Sequence, residues 1–506
     1  MTLSPICSRG CPLSQPPSPV NVMAMRLADR ARVAVIGAGP GGLTAAKHAI
    51  SAGFDTTVFE ASDDLGGQWN TTAAHSGVWP GMRTNTSRAM TAFSDCPAPP
   101  SHVLYPRAEQ VHDYLRSYAV GHGVAERIRF DTPVTEVRPG WTVNGEGFDA
   151  VVIASGRFRS PLVPVNLAGF TGELLHAFDY GGAERFRGRR VLVYGNGVSG
   201  HEIASDLASC TQVISAYRKP RYVLQKIASG VPSDWQWYTQ IAALRRASMS
   251  TQQYDSMLRA RVVQVAGNPA DFGAPEPDER ILVAGHSLCQ DYLSQVRAGE
   301  IVCRPGIAAV DGRRVSFVDG AQEHVDAIIC ATGYRLDIPY LPEEVWSRVG
   351  TELRLHNRTL HPDLPGLGVI GQFALQGPYL PLLELQARWI VGTWSGEVPA
   401  PDESAMRASV ASAAPAIDSH NMLALTLAAA AGVTPDLRAR PELAEALLFG
   451  PMLPPRYRLD GPGALPDAAA LLVDQLAATP RAPIAADDLA ALPELGLADL
   501  TGLIGL

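Results

Sequence analysis

One pattern in this chain occurs twice. The apolar run Val33–Ile36 leads into Gly37-Ala38-Gly39-Pro40-Gly41-Gly42, and 158 residues later Val191–Tyr194 leads into Gly195-Asn196-Gly197-Val198-Ser199-Gly200. A second echo, offset by 177 residues, pairs Asp149–Gly156 with Asp326–Gly333. Each is a short apolar run ending in small residues, the pattern of a buried parallel strand entering a tight turn. A Gly-x-Gly-x-x-Gly triplet between a strand and a helix suits a dinucleotide. Its first glycine permits the turn, its second lets a pyrophosphate approach the backbone, and its third lets helix and strand pack. The helix N-terminus then offers free N–H groups to the phosphates. Two such units predict an α/β fold with two nested Rossmann-like dinucleotide-binding domains.

The residues after each motif differ in a way that separates the two ligands. Val58-Phe59-Glu60 follows the first triplet (Gly37, Gly39, Gly42), and Glu60 is placed to accept hydrogen bonds from ribose hydroxyls. After the second triplet (Gly195, Gly197, Gly200) the corresponding strand ends in Tyr217-Arg218-Lys219, with no acid. A guanidinium in that place favours a 2′-phosphate. An ordinary solvated basic edge is the competing reading of Arg218 and Lys219. Together the two sites predict FAD and NADPH as cofactors.

Other classes are disfavoured. Lys and Arg number 42 against 50 Asp and Glu, and a net charge of −8 without a basic run argues against nucleic acid or an anionic membrane as partner. Seven scattered cysteines (7, 11, 96, 210, 289, 303, 330) form neither a disulfide framework nor a metal-binding spacing. No secretory signal is evident, and the longest nearly apolar run, Met422–Val433, is short of the ~20 residues of a membrane span. A cytoplasmic protein is expected, with a homodimer left open. Residues 1–30, rich in Pro and Ser with Met23 and Met25, read as a disordered leader or an over-long gene start, with order beginning at Arg32. The expected organisation is an FAD-binding domain from 31–165 and 330–400, an NADPH-binding domain from 166–329, and a helical C-terminal extension over 401–506.

Between the two glycine motifs lies Phe170-Thr171-Gly172-Glu173-Leu174-Leu175-His176-Ala177-Phe178-Asp179-Tyr180. It resembles the flavin-containing monooxygenases at each fixed position of their fingerprint, Phe-x-Gly-x-x-x-His-x-x-x-Tyr. Leu65-Gly66-Gly67-Gln68-Trp69 is similar to the family's Gly-Gly-x-Trp loop, Arg83-Thr84-Asn85-Thr86-Ser87 to its Thr-Asn segment, and Ala331-Thr332-Gly333-Tyr334 to its Ala-Thr-Gly-Tyr element. Glu384-Leu385-Gln386-Ala387-Arg388-Trp389 matches a late helix of the family. The resemblance spans about residues 31–400.

The resemblance implies a chemistry and a set of site residues. NADPH reduces FAD, the reduced flavin captures O2 as a C4a-hydroperoxyflavin, and a nucleophilic nitrogen or sulfur of a small substrate is oxygenated. Gly67, Gln68 and Trp69 are expected beside the flavin, with Trp69 chiefly packing there. Thr332 and Gly333 are expected to allow close backbone approach, and His176 and Tyr180 to couple the domains. Asn85 is the candidate catalytic residue, since an amide donates and accepts without titrating; as a residue alone it also suits a turn. Gln386, Arg388 and Trp389 fit either a place by the flavin or a helix tucked under the core. Baeyer–Villiger oxygenation of a ketone is the alternative, although that related family tends to carry Trp-Pro where this chain has Tyr180-Gly181. A pyridine-nucleotide disulfide reductase would need a redox cysteine pair beside the flavin.

Overall fold

A computed structural model describes residues 26–74, 76–412 and 418–500. The first echo strand, Arg32–Ile36, is the middle of a five-stranded parallel sheet. On one side it pairs with Ala150–Ile153, which pairs with Leu367–Val369; on the other it pairs with Asp55–Phe59, which pairs with Ile128–Arg129. Helices cover both faces of such a sheet, which is why Val33, Ala34 and Val35 are all fully buried.

The second echo builds the same thing again. Arg190–Tyr194 lies between Gln212–Ala216 and Ala327–Cys330, with Ile301–Arg304 and Glu173–His176 at the two edges, all parallel. The two repeats are neighbours in space as well as in pattern. Val33 sits opposite Ala150 in the first sheet, and Val191 opposite Ala327 in the second. The chain crosses between the sheets as a short antiparallel pair, with Pro161 opposite Tyr334 and Ser160 opposite Arg335.

Behind the first sheet the helix Pro40–Ser51 packs on Leu380–Ser395. Every residue of the latter except Ser395 is buried, so its polar side chains need internal partners. The Gln386 amide accepts from Gly371 N at 3.0 Å and donates to Arg358 O, Thr359 Oγ1 and Val369 O. Arg388 donates to Tyr457 O and Pro462 O, each at 2.7 Å. Gln386, Arg388 and Trp389 therefore belong to a helix tucked under the core.

The last hundred residues are helical over Glu403–Ala411, His420–Ala430, Ala444–Phe449, Ala468–Ala477 and Ala486–Ala490. They are bound to the rest by a buried ionic cluster: Arg458 reaches Asp95 at 3.0 Å and Glu384 at 2.8 Å, and Lys47 reaches Asp95 at 2.6 Å. The leader differs from expectation at its end. Leu27 is buried and its N–H donates to Trp394 O at 2.8 Å, so order is present before Arg32; residues 1–25, with Cys7 and Cys11, lie outside the described residues. Among the described residues no helix is long and apolar enough to cross a membrane.

Candidate functional site

The glycines of the two motifs fall into two kinds. Gly37 has φ +102°, and a Cβ there would lie 2.7 Å from Ala154 O; a Cβ on Gly42 would overlap the Gly37 carbonyl oxygen. Gly195 has φ +122° and is crowded by Ala331 O, and Gly200 by Gly195 O. The protein's own packing demands these four. The middle glycines are different. A Cβ on Gly197 would meet nothing within 4 Å, and one on Gly39 would meet only the Gly67 backbone, at 3.6 Å and beyond. Both sit at the N-cap of their helix, in extended backbone and with no side-chain cap. Open space beside a helix N-terminus is what a pyrophosphate requires, so the residues present fit a dinucleotide at each loop.

A cleft opens above the first loop. Its wall brings together Gly37, Gly39, Glu60, Gly67, Gln68 and Trp69 with Ser155, Gly156, Phe158, Tyr340, Tyr379 and Leu380. The Glu60 carboxylate is buried and accepts from Ala38 N at 2.7 Å and Ser62 N at 2.9 Å, which fixes it against the glycine turn. Gly66 and Gly67 both have positive φ, at +110° and +57°, and a Cβ on Gly67 would press on Gly39 Cα at 3.0 Å. The Leu65–Trp69 loop is thus folded onto the glycine loop, and Gln68 ties it to Phe158 O at 3.4 Å. Phe158 and Tyr379 had no motif to mark them. Ser155 and Gly156 end the strand that echoes Ala327–Cys330, and that echo was their signal.

At the second loop, Thr332 and Gly333 follow Ala331 as Ser155 and Gly156 follow Ala154 at the first. They are absent from the wall of the first cleft and serve the junction between sheets. Gly333 O accepts from Leu162 N and from His176 Nε2, each at 3.0 Å, and Thr332 Oγ1 donates to Leu162 O. Because His176 Nδ1 accepts from Phe178 N at 3.1 Å, Nε2 carries the proton. Tyr180 donates to Asp206 Oδ2 at 2.7 Å. Arg218 and Lys219 are exposed, with no carboxylate in an ion pair with either among the described residues; Asn196 Nδ2 donates to Lys219 O at 2.6 Å, holding the tract against the loop. The same tract ends in Arg221, a half-buried guanidinium held below its ordinary pKa by desolvation, whose charge in turn helps keep His201 neutral.

Asn85 does not line the first cleft. Its loop is held from the other side of the junction. Ser87 N donates to Asp234 Oδ2 at 2.6 Å, Trp235 Nε1 to Ser87 Oγ at 3.0 Å, and Lys226 Nζ to Thr84 O at 3.3 Å. Asn85 Oδ1 is buried without a hydrogen-bond partner, as is Asp234 Oδ1. The amide oxygen of Asn85 is thus free to accept a further hydrogen bond.

Comparison with known proteins agrees with this geometry and extends it. The flavin-binding monooxygenase-like family model matches residues 30–486, so the likeness runs well past residue 400, into the region expected to lie outside it. Human flavin-containing monooxygenase 5 is 29% identical over 478 residues, covering 85% of this chain and 89% of that protein. Among solved structures, S-allyl-L-cysteine S-oxygenase from Allium sativum superposes with a TM-score of 0.59 at 22% identity, covering 88% and 99% of the two chains. Cyclohexanone monooxygenase from Rhodococcus sp. Phi1, bound to NADP+, gives 0.58 at 18% identity, covering 80% and 97%. With the paired glycine loops, the two parallel sheets and this match over nearly its whole length, the chain belongs to the flavin-binding monooxygenase-like family and is a monooxygenase that uses FAD and NADPH.

Proposed function

We propose that the protein oxygenates a nucleophilic nitrogen or sulfur of a small organic molecule, with FAD at the first glycine loop and NADPH at the second. The observation that supports the placing of the two cofactors is the pair of middle glycines, Gly39 and Gly197, open in loops otherwise closed by their own backbone. FAD supplies hydride acceptance and activation of O2. The chain's residues supply the rest. Glu60 is positioned at the ribose end of the cleft and Arg218 at the edge where a 2′-phosphate is met. His176, clamped between Phe178 N and Gly333 O, fixes the end of the second sheet at the point where the chain crosses back toward the first. Asn85 offers an amide that can hold an oxygen-derived group in place without exchanging a proton with water.

Tyr180 favours this reading over Baeyer–Villiger oxidation of a ketone to an ester or lactone. It is fully buried and bonded to Asp206, and it stands where the ketone-oxidising relatives tend to carry Trp-Pro. The five described cysteines are free, without the pair a disulfide reductase needs. The test is a panel of tertiary amines, thioethers and ketones given to the holoenzyme with NADPH, scored as product per NADPH consumed. Turnover of amines or thioethers is expected; coupled turnover of ketones alone overturns the reading.

A further inference from the structure

Two arginines sit on one short 3-10 turn, Pro454–Arg458, and among the described residues only one of them is paired with an acid. Arg458 is paired with Asp95 and Glu384, as a buried guanidinium ordinarily must be. Arg456, 1% exposed, has none: its Nη2 donates to Gln240 Oε1, while Nε and Nη1 have no partner. Arginine keeps its charge in proteins, so this is a buried cation with open donors.

Other buried polar atoms without partners lie near Arg456. Its partner Gln240 lies two residues after Tyr238, whose ring packs on that of His420, the first residue of the helix His420–Ala430, whose N-terminal turn has no side-chain cap. His420 Nδ1 donates to Pro378 O at 3.1 Å, which leaves Nε2 as a bare acceptor without a partner; burial pushes the ring's pKa down to about 3, so it stays neutral. Asn421 donates to Trp237 O at 2.9 Å and leaves its own Oδ1 open. Gln240 and Trp237 belong to one turn, and Tyr238 between them stacks edge-on to His420 at 5.0 Å. Pro378, the anchor of His420, directly precedes Tyr379 and Leu380 in the cofactor cleft wall.

We propose that Arg456, with the N-terminal turn of His420–Ala430, is the seat for the carboxylate of an acidic substrate. Open donors and a helix N-terminus, with no carboxylate paired to Arg456 among the described residues, select an anion. The open acceptors of His420 and Asn421 select a hydrogen-bond donor carried by the same molecule, such as a hydroxyl or ammonium group. The substrate class is then a small polar carboxylic acid bearing the nitrogen or sulfur to be oxygenated. This deepens the proposed function and rests on it.

The probes are 2-hydroxy-4-(methylthio)butanoate and its methyl ester, which share a thioether and a hydroxyl and differ in the anion. Calorimetric titration into the holoenzyme is expected to show the acid bound about tenfold or more tighter than the ester, as a bidentate guanidinium–carboxylate contact allows. Arg456→Gln is expected to erase that preference, and Arg456→Lys to keep part of it. Equal binding of acid and ester by the parent overturns the seat, and does so whether or not the variants fold; it would mean that internal water alone satisfies Arg456. Selective binding of the acid without sulfoxide formation overturns N- or S-oxygenation and leaves the seat standing. Sulfoxide formed from both compounds with no preference does the reverse.

Discussion

Ser87 N donates to Asp234 Oδ2 at 2.6 Å, joining residues 147 positions apart and fixing the loop that carries Asn85 to the segment that follows the second sheet's basic tract. Asp234 is fully enclosed, and burial pushes its carboxyl up to about 6, against lesser opposing pulls from Ser87 and nearby backbone N–H groups. An acid whose folded pKa is raised binds its proton more tightly in the folded state. Its ionisation therefore costs stability as pH rises from about 4 to about 6, and the cost is constant above that. Asp234→Asn keeps an acceptor for Ser87 and removes the ionisation. Urea denaturation at pH 4.5, 5.5 and 7 is expected to show the variant gaining on the parent as pH rises to 6. A pH-independent difference would mean that Asp234 titrates normally.

The buried cluster at Arg458 yields a stability prediction for the C-terminal region. Removing the guanidinium leaves Asp95 and Glu384 without their shared partner, with Lys47 on Asp95, Arg388 nearby, and His48 kept neutral by burial. Breaking a buried pair in this way costs about 3–5 kcal/mol. Arg458→Met should lower unfolding free energy by that amount, with Arg458→Lys recovering part. A loss under about 1 kcal/mol, the size of a surface pair, would show that the extension is held by its apolar contacts alone.

The glycines separate folding from cofactor binding. A Cβ at Gly39 meets only the Gly67 backbone, at ordinary contact distance, so Gly39→Val is expected to fold with parental far-UV dichroism and to purify without bound flavin. Gly42→Ala drives its Cβ into Gly37 O and should fail to fold. A yellow, fully loaded Gly39→Val protein would show that no phosphate passes there.

Much of this was written in residue spacing. The glycine echo, the second strand echo and the Phe170–Tyr180 fingerprint are local, so their sheets and junction could be read directly. Phe158 and Tyr379 could not, because they reach the cleft only through long-range packing. The C-terminal region was opaque for the same reason. Arg456 and Arg458 look alike in the chain, and only the fold decides that Arg458 meets Asp95 and Glu384 while Arg456 meets no acid among the described residues. Arg221 was within reach, three residues after Arg218, but nothing local told that it is half-buried and its neighbour exposed.

Arg218 should discriminate between coenzymes. It is exposed two residues past the end of Gln212–Ala216, unpaired with any carboxylate among the described residues, and next to Tyr217, which stands where Glu60 stands at the first loop. Arg218→Ala is expected to raise the NADPH KM by roughly ten- to a hundredfold, the value of about 1.5–3 kcal/mol for a hydrogen bond to a charged group. The NADH KM should stay within a factor of two or so. An equal loss with both coenzymes would reassign the 2′-phosphate to Lys219 or Arg221.

The proposed role of Asn85 is tested by the coupling of NADPH oxidation to product. Its Oδ1 is buried and unpartnered in a loop clamped at Thr84 by Lys226 and at Ser87 by Asp234 and Trp235, so the amide is fixed although nothing in the protein uses its oxygen. Asn85→Leu keeps the volume and removes the amide. Reduction of the flavin by NADPH should proceed at the parental rate, because the variant touches neither glycine loop. Product per NADPH should fall and H2O2 should rise to match, since one lost preorganised donor is worth about 2.7–4 kcal/mol, or a hundredfold to a thousandfold in rate. Asn85→Asp tests which half of the amide matters: its carboxylate accepts but cannot donate. Uncoupling by both variants assigns the role to the N–H2 group. Uncoupling by Asn85→Leu alone assigns it to the oxygen, and full coupling in both would make Asn85 a turn residue with no part in holding oxygen at the flavin.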